Sequence, residues 1–470
     1  MDSSYRKGHA AGRKAGIRAR FVKIRLFIFC LLIFLSCPMS GLPAACGIEY
    51  AVFEVMEEVG RLEILPLWPN FEPRAIPTAL FDGKDTYLFN SPRKPEGFRL
   101  LGDRTDVLIH DGRHLSVFGN RRMIIQDIWV ATSVLQANST ATGQPYTLRE
   151  MAAIIIHEQF HVFQAIRHPD WLPNDAVLLD YPLDTVESLA LRKAEIEAFR
   201  RAVTADDAKD SAGWAAEALK IHRERLAGLT EKHALYEREL QRLEGTAEYI
   251  EYLAGGRGVM DGPRVTDRAP RAIRELGYQE GRWIASLLDR LDPGWKDSLE
   301  AGEFEYPEYR LEKKVRELAE IRSFTTDETK GIALEAAESL RKIGEERKAL
   351  AKNVNGILSN KIEIIANKRP LRLENFDPFT IDALNEREIV HKQWLVLKND
   401  QGGVEVFRQT CLTEINKNSQ IVRLVIPGLL TKVRGVRSGN KIIIKMDGIA
   451  AIFQNARLIV RGKKVVIKLE

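Results

Sequence analysis

An α+β fold is predicted by three successive stretches of the chain. Short β-type runs crowd residues 48–131, helical periodicity dominates from Thr147 to about Leu291, and β-type runs return after Pro370. The length of 470 residues exceeds what one hydrophobic core organises, which implies two or three structural units. With 45% hydrophobic and 29% charged residues, the composition is that of a folded soluble protein.

Residues 1–45 read as a cleaved export signal. Arg6, Lys7, Arg13, Lys14, Arg18, Arg20, Lys23 and Arg25 precede the apolar run LFIFCLLIFLS, and small residues and prolines follow in CPMSGLPAAC. That run is short for a bilayer span, which takes roughly 20 apolar residues. The expected compartment is extracytoplasmic: secreted or periplasmic. Membrane association would need an uncleaved signal or a lipidated Cys46. Of the four cysteines, a chain cut near Ala45 keeps Cys46 and Cys411, which could also pair with each other. Much of the formal net charge of +5 lies in this leader, so the charge does not point to a nucleic-acid partner.

Residues 46–300 form the next unit. Its first part is strand-like from Ile48 to about Ala131, with TYLFN, TDVLIH, LSVFG and MIIQDIWVA separated by turn residues. The second part is almost entirely helical. Residues 301–368 read as a charged helical connector in which acidic and basic residues alternate along a solvated face. From 369 to 470, the runs QWLVLKN, VEVFRQT, IVRLVI, KIIIKM and NARLIVRGKKVVIKL, with turn signals DQGG and RGKK, predict a small antiparallel β domain. Its positive charges are scattered without clustered aromatics, the pattern of a soluble surface rather than a nucleic-acid groove.

The most specific signal is IIIHEQFHVFQ, where His157, Glu158 and His161 form H-E-x-x-H. Its helix is argued independently. Thr147 and Glu150 make a capping box ahead of the periodic apolar residues Met151, Ile154, Ile155 and Val162, and Pro169 stops the helix after His168. Residues four apart lie about 40° apart around a helix, so both imidazoles reach one metal. Glu158 falls on the edge of that face, suited to take a proton from a metal-activated water rather than to bind the metal.

Two histidines do not complete a catalytic zinc site, which takes three protein ligands. A third histidine at the longer zincin spacing is absent, because position 167 is Arg and His168 falls one residue late. Glu244 is the natural candidate. It lies among Leu240, Leu243 and Ala247 on the apolar face of ELQRLEGTAEYIEYLAGG, a helix closed by Gly255 and Gly256, and an acid there must be paired or metal-bound. Glu248, one turn later, is suited to orient a ligating imidazole, and the two glutamates could exchange roles.

The segment EGTAEYIE resembles the E-G-x-x-x-Y stretch that carries the third zinc ligand in gluzincin peptidases of the membrane-alanyl aminopeptidase and leukotriene-hydrolase type. GYQEGRWIASLLDRL is similar to the Y-x-K-G helix of that group. The resemblance implies a gluzincin catalytic unit with one Zn2+ per chain, a peptide or protein substrate, and Tyr278 as the donor to the oxyanion. Gly277 and Gly281 would let this helix approach closely. It also implies a cleft between the β-rich and helical parts, in which an edge strand, within MIIQDIWVA, aligns an extended peptide. Position 280 is Glu where the group has Lys, and the G-x-M-E-N element of its aminopeptidases is absent. The competing readings are a non-catalytic zincin-fold binding or scaffold protein and a zinc hydrolase of a non-peptide amide or ester. The remaining histidines, His110, His114, His222, His233 and His391, read as surface or core residues.

Overall fold

The computed structural model describes residues 52–470 apart from 63–65, 103, 136–144, 256–264, 319–321, 357–360, 428–434 and 462–463. The leader, with Cys30, Cys37 and Cys46, lies outside the described residues, as does Gly256. Among those described, ten α-helices and three β-sheets make up an α+β architecture. No described helix is long and apolar enough to cross a membrane.

Helix α1 (Val52–Leu62) opens the described chain. The sequence reads as strand-like there, but Val52, Val55, Val59 and Leu62 recur at helical spacing and are all buried. Six strands follow: β1 (Thr78–Phe81), β2 (Thr86–Phe89), β3 (Arg99–Leu101), β4 (Arg104–His110), β5 (Arg121–Ile125) and β6 (Ile128–Val134). They form one sheet in the order β3-β4-β2-β1-β6-β5, in which β1 and β6 run parallel and the other neighbours antiparallel. Two expectations change here. LSVFG forms no strand; Val117 is buried in an irregular turn while Leu115 and Phe118 stay exposed. MIIQDIWVA is a hairpin rather than one run, because Gln126 and Asp127 both take positive φ (46° and 66°), the geometry of a tight turn matched to strand twist.

The helical part comprises α2 (Leu148–Arg167), α3 (Val186–Thr204), α4 (Ala208–Ala227), α5 (Glu231–Leu240), α6 (Thr246–Gly255), α7 (Arg271–Leu291), α8 (Trp295–Glu300), α9 (Pro307–Leu318) and α10 (Thr326–Gly356). Helix α2 lies between the sheet and α6, packing on β6, β5, α1 and α6. Its apolar face enters a core that includes Leu80, Ala131, Ile155, Phe160, Ile250 and Trp283. The stretch read as one helix around Glu244 is broken by a π-helical turn over Gln241–Gly245. At that turn a Cβ on Gly245 would stand 2.4 Å from the Gly281 Cα of α7, so the two backbones touch where no side chain fits.

In the connector, α10 packs on α3 through a sparse stripe that includes Ala336 and Ile343. The helical reading ends too late, however. Lys361–Ile365 is strand β7, paired antiparallel to β14 (Ile421–Pro427) and parallel to β19 (Lys464–Leu469). The C-terminal part is therefore neither small nor wholly antiparallel. With β8 (Arg372–Phe376), β9 (Ile381–Ala383), β10 (Glu388–His391), β11 (Trp394–Asn399), β12 (Gly402–Phe407), β13 (Cys411–Ile415), β15 (Gly435–Ser438), β16 (Lys441–Met446), β17 (Ile449–Gln454) and β18 (Ala456–Arg461), it forms sheets ordered β18-β19-β7-β14-β13-β10-β9 and β15-β16-β17-β12-β11-β8. Alternate residues of both sheets, Ile362, Ile364 and Leu424 from one and Leu395, Val406 and Phe453 from the other, share one core. Val177, Leu178, Leu179, Tyr236, Leu240 and Ile273 of the helical part join that core, so the sandwich is fused to the helices behind the Glu244 turn. Cys411 is a free thiol inside it.

Candidate metal centre

Helix α2 starts as the sequence predicts. The Thr147 side chain accepts from the Glu150 amide, Glu150 accepts from the Thr147 amide at 2.8 Å, and His168 is the C-cap. Because α2 is wedged between sheet and α6, its central residues are covered on both sides. His157, Glu158 and His161 are 6%, 8% and 6% exposed. His168 has no part in the cluster: it pairs with Glu300 at 2.9 Å and stacks on Trp171.

The π-turn aims Glu244 at the two imidazoles. His161 Nε2 lies 2.9 Å from Glu244 Oε2 and 3.0 Å from His157 Nε2, and His157 Nε2 lies 3.9 Å from Glu244 Oε2. Three atoms bound at zinc distances in a tetrahedron are about 3.3 Å apart. The donor set, two imidazoles and one carboxylate, is a group that could hold a metal ion.

Hydrogen-bond direction sharpens this. Gln164 donates from Nε2 to the Leu243 carbonyl at 3.0 Å and to Thr246 Oγ1 at 2.9 Å. A carbonyl can only accept, so the Gln164 amide orientation is fixed and its Oε1 accepts from His161 Nδ1 at 2.8 Å. With its proton on Nδ1, a neutral His161 presents a lone pair at Nε2. His157 Nδ1 lies 3.1 Å from Glu251 Oε2, close but off the line of a well-aligned hydrogen bond. That carboxylate favours the proton on Nδ1 and the lone pair on Nε2 here too. In the Nδ1–H tautomers both rings direct an Nε2 lone pair towards the point that Glu244 Oε2 faces, an arrangement that suits a cation.

The surrounding groups hold this geometry. Arg274 Nη2 donates to Glu244 Oε1 at 2.8 Å and its Nη1 to Asp175 at 2.8 Å, which leaves Oε2 directed at the histidines. Burial raises the Glu244 carboxyl, but His161, Arg274 and His157 outweigh it and hold the group well below its ordinary range. Glu158 is raised by burial and by Glu244, against the opposing pull of His157, His161 and Arg121. Tyr278 lies nearly parallel to the His157 ring, 6.2 Å between centroids, and burial together with the Glu244 charge pushes its phenol far above the usual range. Phe379, from the loop between β8 and β9, packs on Tyr278 at 5.9 Å.

The structure brings His157, Glu158, His161, Glu244 and Tyr278 together. Glu244, not Glu248, shares the trio with both histidines. Glu248 groups with His157 and Glu251 and faces Arg282 at 3.4 Å, while Glu251 occupies the orienting position expected of Glu248. Sequence reasoning missed Gln164, Glu251, Arg274 and Asp175. Gln164 was findable, three residues from His161 on one helix face. Arg274 sits one turn before Tyr278, yet nothing local reveals its partner.

A second group of possible ligands, Glu195, His222 and Glu280, belongs to a charged network. His222 Nδ1 faces Glu195 at 2.5 Å and Nε2 faces Glu308 at 3.2 Å. Arg225 binds Glu195 and Glu237, and Arg238 binds Glu308 at 2.7 Å. Burial and the neighbouring Glu195 push the Glu280 carboxyl well up, and it accepts from Gln241 at 2.8 Å. With both imidazole nitrogens on carboxylates, this group is a charge-balanced ionic core. No family model, curated protein or solved structure matches the chain.

Proposed function

We propose that this chain is an exported zinc metallopeptidase of the gluzincin kind, its zinc held by His157, His161 and Glu244. The observation that carries the reading is the convergence of three ligand-type atoms at 2.9, 3.0 and 3.9 Å, with Gln164 and Arg274 fixing two of them from behind. A zinc ion bound there supplies a Lewis acid that polarises an amide carbonyl and brings the pKa of water down towards neutrality.

The remaining work falls to the chain's own groups. Glu158 takes the proton of the attacking water and returns it to the leaving amine, and its burial makes it a stronger base than an exposed carboxylate. Tyr278 stays a neutral phenol, so its O–H remains available to the negative charge that develops on the carbonyl oxygen. Strand β5 is one of the two edge strands of the six-stranded sheet, the one next to β6, and it packs against α2, so an extended peptide can add to it by main-chain hydrogen bonds. An antiparallel edge strand above an H-E-x-x-H helix supports the zincin-like assignment.

Metal analysis with a substrate panel tests this. The purified chain should carry about one zinc, lost in His157→Ala and Glu244→Ala. Glu158→Gln should keep the zinc and lose roughly 10²–10⁴-fold in peptide hydrolysis. A wild-type chain that takes up no zinc would sink the proposal, and undiminished activity in Glu158→Gln would remove Glu158 as the base.

A further inference from the structure

The turn between β8 and β9 carries an aromatic side chain to the centre. Phe379 packs on the Tyr278 ring at 5.9 Å, and Tyr278 lies nearly parallel to the His157 ring at 6.2 Å, so three rings run in a row from the sandwich to an imidazole of the centre. Arg274, which holds Glu244, lies 5.3 Å from the Phe379 centroid and 5.8 Å from that of Tyr278. Yet Phe379 is 37% exposed, so a large part of its ring stays open beside the tyrosine.

The turn that presents it is held by its own hydrogen bonds. The Asp377 side chain accepts from the Phe379 amide at 3.0 Å, the Asp377 carbonyl accepts from the Thr380 amide at 3.3 Å, and Pro378 locks the intervening φ. The Asp377 amide donates to the Trp394 carbonyl at 3.3 Å, which joins the turn to the start of β11. Trp394 packs on Phe118 at 5.5 Å, just ahead of β5. The sandwich thus reaches both α7 and the entry to β5, the two walls between which an extended substrate would lie. An aromatic ring already held in place loses little freedom when a partner packs on it, which suits Phe379 to bind an apolar group.

We propose that Phe379 forms one wall of an apolar subsite for a substrate side chain, so that the centre selects peptides with a large apolar residue flanking the bond that is cut. The proposal rests on the metallopeptidase reading for the cutting but not for the binding. In that reading the Tyr278 hydroxyl meets the carbonyl oxygen of the cut bond, and successive residues of an extended peptide are only about 3.4 Å apart. A ring in contact with Tyr278 therefore stands beside a residue that flanks that bond. The sandwich is then part of the substrate cleft, and the residue preference is set by a part of the chain that holds none of the three proposed zinc ligands.

The probes are acetylated, amidated heptapeptides of glycine, serine and alanine that differ only at the central residue: Phe, Leu, Ala or Asn. Cleavage by the zinc-loaded chain is read by mass spectrometry, which also locates the cut. Retention of the same peptides on immobilised, zinc-loaded Glu158→Gln chain is read separately. The Phe and Leu peptides should be cut next to the central residue with a kcat/KM about 10–100-fold above that of the Ala and Asn peptides, and they should be retained better. That preference should collapse in Phe379→Ala and survive largely in Phe379→Leu, with the zinc content of both matching the wild type. Retention should lose its preference in the same way in Glu158→Gln/Phe379→Ala.

Equal cleavage of all four peptides by the wild type overturns the proposal and leaves the metallopeptidase reading standing, as does an apolar preference that persists in Phe379→Ala. An equal fall for all four peptides in Phe379→Ala, or a loss of its zinc, would make Phe379 a mere support for Tyr278 and Arg274 and overturns the proposal too. Retention that favours the Phe and Leu peptides through Phe379, without cleavage by the wild type, would leave this subsite standing and refute the metallopeptidase reading. Neither cleavage nor retention would refute both.

Discussion

Gly281→Ala tests whether the contact between α7 and the π-helical turn sets the position of Glu244. A Cβ at residue 281 would stand 2.5 Å from the Gln241 carbonyl oxygen and 2.5 Å from the Gly245 Cα, both backbone atoms that cannot rotate away. Favourable contacts between carbon atoms begin at about 3.5 Å, so the turn must retreat by roughly 1 Å. Overpacking of this kind costs ~1–3 kcal/mol. Glu244 rides on the displaced turn, while metal–ligand distances tolerate only about ±0.2 Å. Zinc affinity should therefore fall about 10–100-fold, the range seen when ligand positioning is lost. Competition against a chromogenic chelator measures this, with thermal unfolding of the apo chain alongside. Gly277→Ala should be milder, because its new Cβ meets the Leu240 side chain rather than backbone. Gly294→Ala, where nothing lies within 4 Å, is the control. Wild-type zinc affinity in Gly281→Ala would refute the argument, even if the variant melted at a lower temperature.

Two further perturbations follow from the buried polar groups. Gln164→Leu strands the buried His161 Nδ1–H, a loss of ~1–3 kcal/mol; equilibrium denaturation should register it and zinc affinity should drop, and an unchanged pair of values would contradict the proton assignment. His222→Gln removes one member of a buried ionic core and should cost ~3–5 kcal/mol near neutral pH. Burial lowers the His222 pKa, but Glu195 and Glu308 outweigh it and raise it well above 6.5. Its contribution is thus full below about pH 6.5 and is lost as pH rises through the raised folded value. The stability gap between wild type and variant should shrink between pH 6 and alkaline conditions, and a constant or growing gap would contradict the imidazolium assignment.

How much was legible follows the range of the interactions involved. The zinc helix was readable because a capping box, a 3.6-residue apolar period and an i, i+4 histidine pair are all local, and α2 runs where they put it. Helix α1 was missed because its eleven residues lie in a strand-rich neighbourhood, although its own spacing is helical. Strand β7 was missed because five residues, KIEII, carry no period that separates a strand from the end of a helix; pairing with β14 and β19, far along the chain, decides it.

For the centre, the sequence by itself determined the residue types and their order: two imidazoles and a base on one helix, an acid on an apolar face, a tyrosine on a glycine-notched helix. Only the tertiary structure decided that Glu244 rather than Glu248 shares the trio with the histidines and that Glu251 and Gln164 stand behind them. The reason is that Glu244 and Glu248 both lie on the buried side of one helix, and local periodicity treats them alike. Their difference arises in the π-turn, where Gly245 meets Gly281, a contact between residues 36 positions apart that no local pattern encodes.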